Sequence, residues 1–476
     1  MRVPALAMVV VLLAGVAPGG SARADEDPVA GPREWVSVQL RQHAGGGPVR
    51  AAATEGTSPA PSLDEQGFTR LPVPPGWDAQ EYAVELGRRG DVEAAWVSGQ
   101  VYAALAPDDP FYRGSQAGYL GVIGAPAGWD IATGRNTVTV AIIDSGIDVA
   151  HPEFAGRLWE NPADANGNGQ DSDGNGCIDD RYGCRFITNI TPARQAECGY
   201  TSSAYTGAIA DDNGRPGATH HSHGTLVAGI LAATGNNGTG IAGLDWNVRI
   251  MPVKVLDCGT AGNGGSPSGD MDDVARAIDY ARRMGANVIN VSLASRPNDP
   301  AADTPMLRAA IEAARNDGVI IVAAAGNFAG QGVGLPAAYT QYENVIAVGA
   351  ATTTGGIGWA SYSGYGPAID FAAPGNDIAG TTRTDIGVDP PYGADRGTSF
   401  ATPLVTGTFT LMMARNSRLS MAEYIQIAKD AATPAPEASH GGNWAGAGII
   451  NAGDALRRVP MLITGAALHD WSFISA

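Results

Sequence analysis

The stretch Gly397-Thr398-Ser399-Phe400-Ala401-Thr402-Pro403 places a serine at the start of a segment that we predict to be helical to residue 415. Alone, this pattern is common, and its serine could simply cap the helix. Two stretches upstream give it weight. Ala141-Ile142-Ile143-Asp144-Ser145-Gly146 is an apolar run ending in a carboxylate, and residues 223–229 open an apolar helical pattern with a histidine. The chain thus carries, in this order, the side chains of a nucleophilic triad: Asp144, His223 and Ser399.

Strand-like and helical patterns alternate around these three residues. Short β-branched and apolar runs predict strands, and longer patterns with helical periodicity predict helices. The predicted strands are 137–143, 249–256, 287–293, 319–325 and 345–350, and the predicted helices are 224–233, 270–284, 304–317 and 399–415. Such alternation predicts an α/β fold, a mostly parallel sheet with helices on both faces and right-handed crossovers. Asp144 then lies at the carboxyl end of its strand, where open α/β sheets place their sites.

Together these stretches resemble the subtilisin-like serine proteases, or subtilases. The resemblance covers residues 106–458. Residues 107–112 and 123–130 are similar to the start of subtilase catalytic domains, and residues 449–452 resemble their closing segment. It implies a subtilisin-like fold and hydrolysis of peptide bonds through an acyl-enzyme. Ser399 would attack the carbonyl, His223 would take its proton, and Asp144 would hold the imidazole.

The resemblance also implies an oxyanion site and a substrate-binding segment. Asn327 follows a predicted buried strand, and with the backbone N–H of Ser399 it would bind the oxyanion. The main chain of a substrate would pair with the segment that follows another strand: Ser292, Leu293, Ala294 and Ser295. Ala294 and Ser295 stand where subtilases commonly have glycine, which could narrow the specificity pocket. Leu226 stands where many subtilases have histidine, and suits a buried helix face.

An acidic loop lies between the first strand and the first helix of this region. Residues 164–180 hold five Asp and three Asn separated by glycines. Part of it follows the spacing of an EF-hand-like loop, with Gly176 sixth and oxygen ligands from Asp171, Asp173, Asn175, Cys177 and Asp179. Tyr182 replaces the usual glutamate at the twelfth position. We predict structural calcium here, and a solvated acidic loop is the alternative.

A second cluster of possible metal ligands surrounds the triad histidine. It comprises Asp211, Asp212, His220, His221 and His223. Because His223 is needed by the triad, we interpret the other histidines as loop residues. No cofactor is expected for the chemistry itself.

The amino-terminal residues predict export. Residues 1–24 read as a signal peptide, with an apolar run at 3–16 that is too short to span a bilayer and a small-x-small pattern before a cut after Ala24. Residues 25–105 predict a small α+β unit, with strands at 34–40 and 92–102, a helix at 78–89 and a loop or disordered stretch at 44–61. Such a unit is either a propeptide or a permanent accessory domain. Residues 459–476 form a short tail without an assigned role.

Composition and cysteines agree with an exported protein. The 476 residues carry a net charge of −18, which disfavours nucleic acid and anionic membranes as partners. The four cysteines would lie in an oxidising compartment, where three pairings are possible. Their spacing makes Cys177–Cys184 plausible, with Cys198–Cys258 as the remaining pair, and no zinc motif is present.

The residues and the resemblance together predict a secreted serine endopeptidase made as a precursor. Its partners would be polypeptide substrates and its own propeptide, acting as intramolecular inhibitor and chaperone. One rival is a calcium-dependent adhesion or scaffold protein on the same fold. The other is an esterase or amidase that uses the same triad.

Overall fold

The computed structural model describes residues 35–40, 68–74, 77–96, 106–165, 167–188, 190–198, 200, 205–207, 209, 222–259, 267–436 and 443–461. The chain divides into two compact units, Met1–Tyr102 and Ala103–Ala476. The predicted signal peptide, the loop at 44–61, the cluster Asp211, Asp212, His220 and His221, and the tail beyond residue 461 lie outside the described residues. No helix among the described residues combines the length and apolarity needed to cross a bilayer.

The first unit is a small antiparallel sheet with one helix. Its strands are β1 (Trp35–Leu40), β2 (Phe68–Pro72) and β3 (Val92–Trp96), and its helix is α1 (Ala79–Gly87). β1 is central and pairs antiparallel with both neighbours. Alternate residues of β1, Val36 and Val38, are buried with Ala83 and Leu86 of the helix. β2 was not predicted, because its Phe-Thr-Arg-Leu-Pro sequence is mostly exposed and lacks a clear apolar alternation.

The second unit is built on a mainly parallel sheet. Its strands are β4 (Thr139–Asp144), β5 (Cys184–Arg185), β6 (Arg249–Lys254), β7 (Val288–Val291), β8 (Ile320–Ala324), β9 (Val345–Thr352), β10 (Gly358–Trp359) and β11 (Phe371–Pro374). Their order is β10-β9-β8-β7-β4-β6-β5, and β11 also pairs with β9. Only the short β10 runs antiparallel to its neighbour. A separate antiparallel pair joins β12 (Ile378–Thr381) to β13 (Tyr392–Asp395).

Helices surround this sheet. They are α2 (Ala117–Val122), α3 (Ala125–Trp129), α4 (Pro192–Glu197), α5 (His223–Ala232), α6 (Met271–Arg283), α7 (Pro305–Asn316), α8 (Thr398–Arg415), α9 (Met421–Ala431) and α10 (Ala452–Arg458). A π-helical turn at Tyr112–Gln116 precedes α2, and a 3₁₀ turn at Pro152–Phe154 follows β4. The nine long strands and helices predicted for this unit are confirmed, with ends that differ by no more than two residues.

Two hydrophobic cores lie on the two faces of the sheet. Along β4, Val140 and Ile142 belong to one core, while Ala141 and Ile143 belong to the other. α5 and α8 pack into the first core, and α6 and α7 pack into the second. Every residue of β4 is buried, as expected for a parallel strand covered on both faces. The predicted α/β architecture is therefore confirmed.

Both disulfides match the pairing that the spacing favoured. Cys177 bonds to Cys184 seven residues away, and Cys198 bonds to Cys258 across sixty residues. The first disulfide closes the end of the acidic loop at β5. The second connects α4 to the segment that follows β6.

Candidate active site

Asp144 ends β4 and is completely buried. Its Oδ1 accepts a hydrogen bond from the backbone N–H of Ser145 at 2.7 Å and lies 2.7 Å from Nδ1 of His223. Its Oδ2 is buried and accepts no hydrogen bond from any described residue. A carboxylate at Nδ1 favours the tautomer that carries its proton there, which leaves Nε2 as the basic nitrogen.

The first turn of α5 brings His223 against Asp144 through a close backbone approach. A Cβ at Gly224 would lie 2.1 Å from the carbonyl oxygen of Gly146 and 3.2 Å from Oδ1 of Asp144. The backbone N–H of Gly224 donates to Oγ of Ser145 at 3.0 Å. Glycine is therefore required beside the histidine, since any side chain would push the helix away from β4.

Ser399 is the second residue of α8 and is 9% exposed. Its carbonyl oxygen accepts a hydrogen bond from Oγ of Ser292 at 2.8 Å. Oγ of Ser292 in turn accepts from Nδ2 of Asn290 at 2.9 Å, and Oδ1 of Asn290 accepts from Thr406 at 2.8 Å. This buried chain of hydrogen bonds connects the start of α8 to the end of β7.

The aromatic ring of Phe400 connects the serine turn to the histidine. Its centroid lies 5.3 Å from that of His223, within the range of favourable ring contacts. Phe400 is itself buried in the core. The residue after Ser399 thus limits where the imidazole can move.

Asn327 lies three residues beyond the buried end of β8 and is exposed. Its Oδ1 accepts hydrogen bonds from the backbone N–H and the hydroxyl of Thr398, at 2.9 and 3.0 Å. Because the oxygen is occupied, Nδ2 is the group left to donate. A Cβ at Gly397 would lie 3.1 Å from that Nδ2, so the absence of a side chain there keeps the space beside the amide open.

A cleft of about 620 Å³ begins at His223 and contains all four predicted substrate-binding residues, Ser292, Leu293, Ala294 and Ser295. Ser295 is anchored on its far side, where its N–H donates to the carbonyl of Leu335 at 2.9 Å. A Cβ at Gly326 or Gly334 would lie 3.3 or 3.1 Å from the methyl of Ala294. The methyl of Ala294 thus occupies space between two glycines, which supports the narrowing expected from the sequence. Leu226 is buried in α5, also as expected.

The acidic loop gathers three carboxylates. Oxygens of Asp164, Asp171 and Asp173 all lie within 4.8 Å of one another. Asp164 is completely buried, and its Oδ2 accepts no hydrogen bond from the described residues. An orphaned buried oxygen among carboxylates suits a hard cation such as calcium.

The group of neighbouring carboxylates overlaps only in part with the set predicted from the EF-hand-like spacing. Asp179 turns its carboxylate to the N–H of Gly169, at 2.9 and 3.1 Å, and Asn175 donates its amide to Asp173 and Asp180. The N–H of Cys177 donates to Asn175. Only Asp171 and Asp173 of the predicted set lie in the group. Asp164 was not in the predicted set, because it lies seven residues before the start of the EF-hand-like spacing.

The fold and this site define a class, an open parallel α/β protein in which the aspartate at the end of a strand contacts the histidine that begins a helix, while Phe400, the residue after Ser399, packs against the imidazole. A sequence profile of the subtilase family matches residues 135–448, and the chain belongs to that family.

Named relatives agree with this assignment. The chain is 34% identical over 313 residues to a thermophilic serine proteinase of Bacillus sp. (strain AK1), covering 66% of this chain and 61% of that protein. It is 33% identical to an extracellular protease of Xanthomonas campestris pv. campestris, covering 80% of this chain and 61% of that protein. It is 32% identical to thermitase of Thermoactinomyces vulgaris, covering 66% and 88%. The chain thus spans about three fifths of the length of the first two relatives.

A solved structure shares the fold. It is a protease from Pseudoalteromonas arctica PAMC 21717, with a TM-score of 0.58 and 26% sequence identity. The match covers 75% of this chain and all of that one. The subtilisin-like fold expected from the sequence is confirmed.

Proposed function

We propose that this chain is a serine endopeptidase that is exported as a precursor and hydrolyses polypeptides through Asp144, His223 and Ser399. The observation that carries the proposal is the 2.7 Å contact between Nδ1 of His223 and the buried carboxylate of Asp144. A binding or scaffold protein has no need of that contact. The contact between Asp144 and His223 stabilises the imidazole when it becomes positively charged during the reaction.

The first step is attack by Oγ of Ser399 on the scissile carbonyl carbon. His223 takes the hydroxyl proton at Nε2, and the Asp144 carboxylate stabilises the imidazolium that results. The proton then passes to the leaving amine, the C–N bond breaks and an acyl-enzyme remains. Water then attacks the acyl carbon and gives its proton to His223. The bond from that carbon to Oγ of Ser399 breaks, the proton passes to Oγ and the new carboxyl group leaves.

The negative charge on the carbonyl oxygen needs fixed donors during both halves of this reaction. Nδ2 of Asn327 and the backbone N–H of Ser399 at the start of α8 would supply them. The bonds from Thr398 to Oδ1 of Asn327 support this role, because they hold the amide in the donating orientation before a substrate arrives.

The cleft wall at Ser292–Ser295 would bind the main chain of the substrate as an added strand. The methyl of Ala294 favours small side chains immediately before the cut. Residues 1–24 would direct export, and the unit within residues 25–105 would act as an intramolecular chaperone and inhibitor until removed.

Calcium would be bound by Asp164, Asp171 and Asp173 and would stabilise the loop that ends at Cys184. Three carboxylates so close together repel each other, and a divalent cation removes that repulsion. The ion would have no part in the chemistry, because no residue of the triad lies in the loop.

Hydrolysis of unfolded casein by the wild-type protein, Ser399→Ala and Ser115→Ala tests the proposal. Ser115 is an exposed serine outside the cleft and controls for the substitution itself. We expect cleavage by the wild type and by Ser115→Ala, and none by Ser399→Ala. Casein left intact by the mature wild-type protein would contradict the proposal and favour a scaffold, whereas hydrolysis of small esters alone would favour an esterase.

Mass spectrometry of the same preparations tests the precursor. If removal of residues 25–105 is autocatalytic, Ser399→Ala retains them and the wild-type protein does not. The same mature amino terminus in both proteins would show that the removal is not autocatalytic, and it would not affect the peptidase proposal.

A further inference from the structure

Two chain segments that line the cleft are bonded to each other, and we call them the lip: residues 256–257 and 267–269. Four residues of these segments line the cleft that also contains Ser292–Ser295: Leu256, Pro267, Ser268 and Gly269. Asp257 joins the two segments, because its N–H donates to the carbonyl of Ser268 at 2.9 Å and its carboxylate accepts from the N–H of Ser268 at 3.1 Å. The conformation of the lip therefore depends on the position of the Asp257 carboxylate.

An arginine of α4 holds the carboxylate of Asp257 from outside the lip. Nη2 of Arg194 donates to Oδ1 of Asp257 at 2.6 Å, and Nε of Arg194 lies 2.5 Å from Oδ2. The two side chains are 18% and 7% exposed, so this pair is shielded from the water that weakens surface ion pairs. Two guanidinium nitrogens on two carboxylate oxygens fix direction as well as distance. Nη2 also donates to Oγ of Ser268 at 3.3 Å, so Arg194 contacts both segments of the lip.

The residue after Asp257 is bonded covalently to the same helix. Cys258 forms a disulfide with Cys198, the residue that follows the last turn of α4. Arg194 and Cys198 are four residues apart, a spacing that places two side chains on one face of a helix. α4 thus contacts two successive residues of the chain, Asp257 through an ion pair and Cys258 through a covalent bond.

α4 adds little to the hydrophobic cores. It has six residues, and none of those described belongs to either core of the second unit. Pro192, Ala193 and Ala196 are exposed. Because hydrophobic stabilisation scales with the apolar area that is buried, a helix so exposed contributes little to folding in that way. Its connections to Asp257 and Cys258 account for its place in the fold better than packing does.

We infer that Arg194 and Asp257 are positioning residues, which together with the Cys198–Cys258 disulfide hold the lip in the conformation that an extended substrate requires. The inference rests on the proposed peptidase function and specifies how that function recognises its substrate. A substrate whose main chain pairs with Ser292–Ser295 enters the cleft that the lip also lines. Movement of the lip therefore changes the fit of the residues before the cut.

The triad aspartate is held separately from the lip. Asp144 ends β4, which pairs with β6 on one side and with β7 on the other. Its backbone carbonyl accepts hydrogen bonds from the N–H groups of Val255 and Leu256, before the chain reaches Asp257. Loss of the connection to α4 should therefore loosen the lip without moving the triad. Such a loss raises KM and leaves kcat nearly unchanged, because it removes binding that the ground state and the transition state share.

The test compares Arg194→Ala with the wild-type protein on a series of peptides that carry from one to four residues before the cut. We expect KM for the longest peptide to rise about tenfold, the upper range for one lost main-chain hydrogen bond, with kcat and the KM of the shortest peptide nearly unchanged. The double change Cys198→Ser with Cys258→Ser should act in the same direction through the other connection. Arg282→Ala is the matched control, because Arg282 is 21% exposed and pairs with Asp279 and Asp317; it should leave every KM unchanged.

Two readouts do not need catalysis. Hydrogen exchange of the Ser268 amide, followed by mass spectrometry, should be faster in Arg194→Ala, because the carboxylate that accepts its N–H loses its fixed position. The Kd of the longest peptide for Ser399→Ala, measured by calorimetry, should rise by about the same factor as KM when Arg194→Ala is added. A failure of the peptidase proposal abolishes cleavage of every peptide and leaves both readouts measurable. Equal increases in KM for the shortest and longest peptides, an unchanged Kd, or unchanged exchange at Ser268 would overturn the inference.

Discussion

Lys254 lies beside Asp144 in the sheet, where the two residues are partners in the parallel pairing of β4 with β6. Lys254 is completely buried, and its ammonium donates to the carbonyl oxygen of Ser145. The ammonium of Lys254 thus holds the backbone at Ser145, the residue that follows Asp144.

Lys254→Met should therefore weaken both folding and catalysis. It leaves the buried carbonyl of Ser145 without its donor, for a loss of about 1–3 kcal/mol in the free energy of unfolding, and it frees the backbone beside Asp144 to move. We expect a lower kcat with a nearly unchanged KM. Urea unfolding and steady-state kinetics measure the two effects. Lys429→Met removes a half-exposed lysine paired with Asp370 at 3.2 Å and should change neither; a wild-type kcat in Lys254→Met would refute the role.

Gly224→Ala should separate His223 from Asp144. The added methyl would need space now filled by the carbonyl oxygen of Gly146, 2.1 Å away, so the first turn of α5 must shift. A displacement near 1 Å costs about 10²-fold in rate. We expect kcat to fall by about that factor while circular dichroism shows a folded protein. Gly121→Ala, where nothing lies within 4 Å, is the matched control and should remain active.

Asn327→Asp tests the oxyanion donor without disturbing its support. The aspartate keeps an oxygen for the two bonds from Thr398 and replaces the donating Nδ2 with an acceptor. We expect kcat to fall by about 10²–10³ with little change in KM, a magnitude known from removal of this donor in subtilisin itself. A higher KM with an unchanged kcat would mean that Asn327 contributes to substrate binding and not to the chemical step.

The parts of this fold that the sequence predicted are those with strong local patterns. The strand that ends at Asp144 and the helix predicted over residues 399–415 depend on neighbouring residues, and both are present. β5, β10 and the β12–β13 pair were not predicted, because they are short and depend on contacts distant in sequence. The position of Lys254 beside Asp144 was not predicted either, because it depends on the pairing of β6 with β4.

The candidate site shows the same limit. The order of Asp144, His223 and Ser399 and the strand end before Asn327 are visible in the chain. The orientation of the Asn327 amide is not, since Thr398 fixes it from 71 residues away. The acidic loop was recognised by composition, but the grouping of Asp164 with Asp171 and Asp173 depends on the fold of the loop and was not visible in the spacing.

Calcium should stabilise the folded protein through Asp164. We expect millimolar calcium to raise the thermal midpoint of the wild-type protein, because binding to the native state adds RT ln(1 + [Ca²⁺]/Kd) to its stability. Asp164→Asn should lose most of that increase, since it removes a buried charge from the group. Asp179→Asn keeps the acceptor for Gly169 and should retain the increase. No calcium-dependent shift in the wild-type protein, by differential scanning calorimetry against chelator, would remove the site.

Glu153 should make the folded protein less stable as the pH rises toward neutrality. It is completely buried, and burial raises its pKa to about 7, although Tyr392 and Ile241 donate hydrogen bonds to it at 2.9 and 3.2 Å. In the unfolded chain the pKa returns to 4.5. Between these values the native state binds more protons than the unfolded state, so stability is full below pH 4.5 and declines as the pH rises to about 7. The total loss is about 3 kcal/mol.

Glu153→Gln should flatten this decline, because glutamine keeps an acceptor for Tyr392 and Ile241 but does not ionise. Urea unfolding at pH 5 and pH 8 measures this decline in stability. Burial also raises the pKa of Asp245, to about 6, which adds a decline common to both proteins. The difference between the wild type and Glu153→Gln therefore isolates Glu153. Glu160→Gln, at an exposed glutamate paired with Arg181, should match the wild type. An equal decline in Glu153→Gln and the wild type would mean that Glu153 stays ionised in the folded protein and that its buried hydrogen bonds outweigh the cost of desolvation.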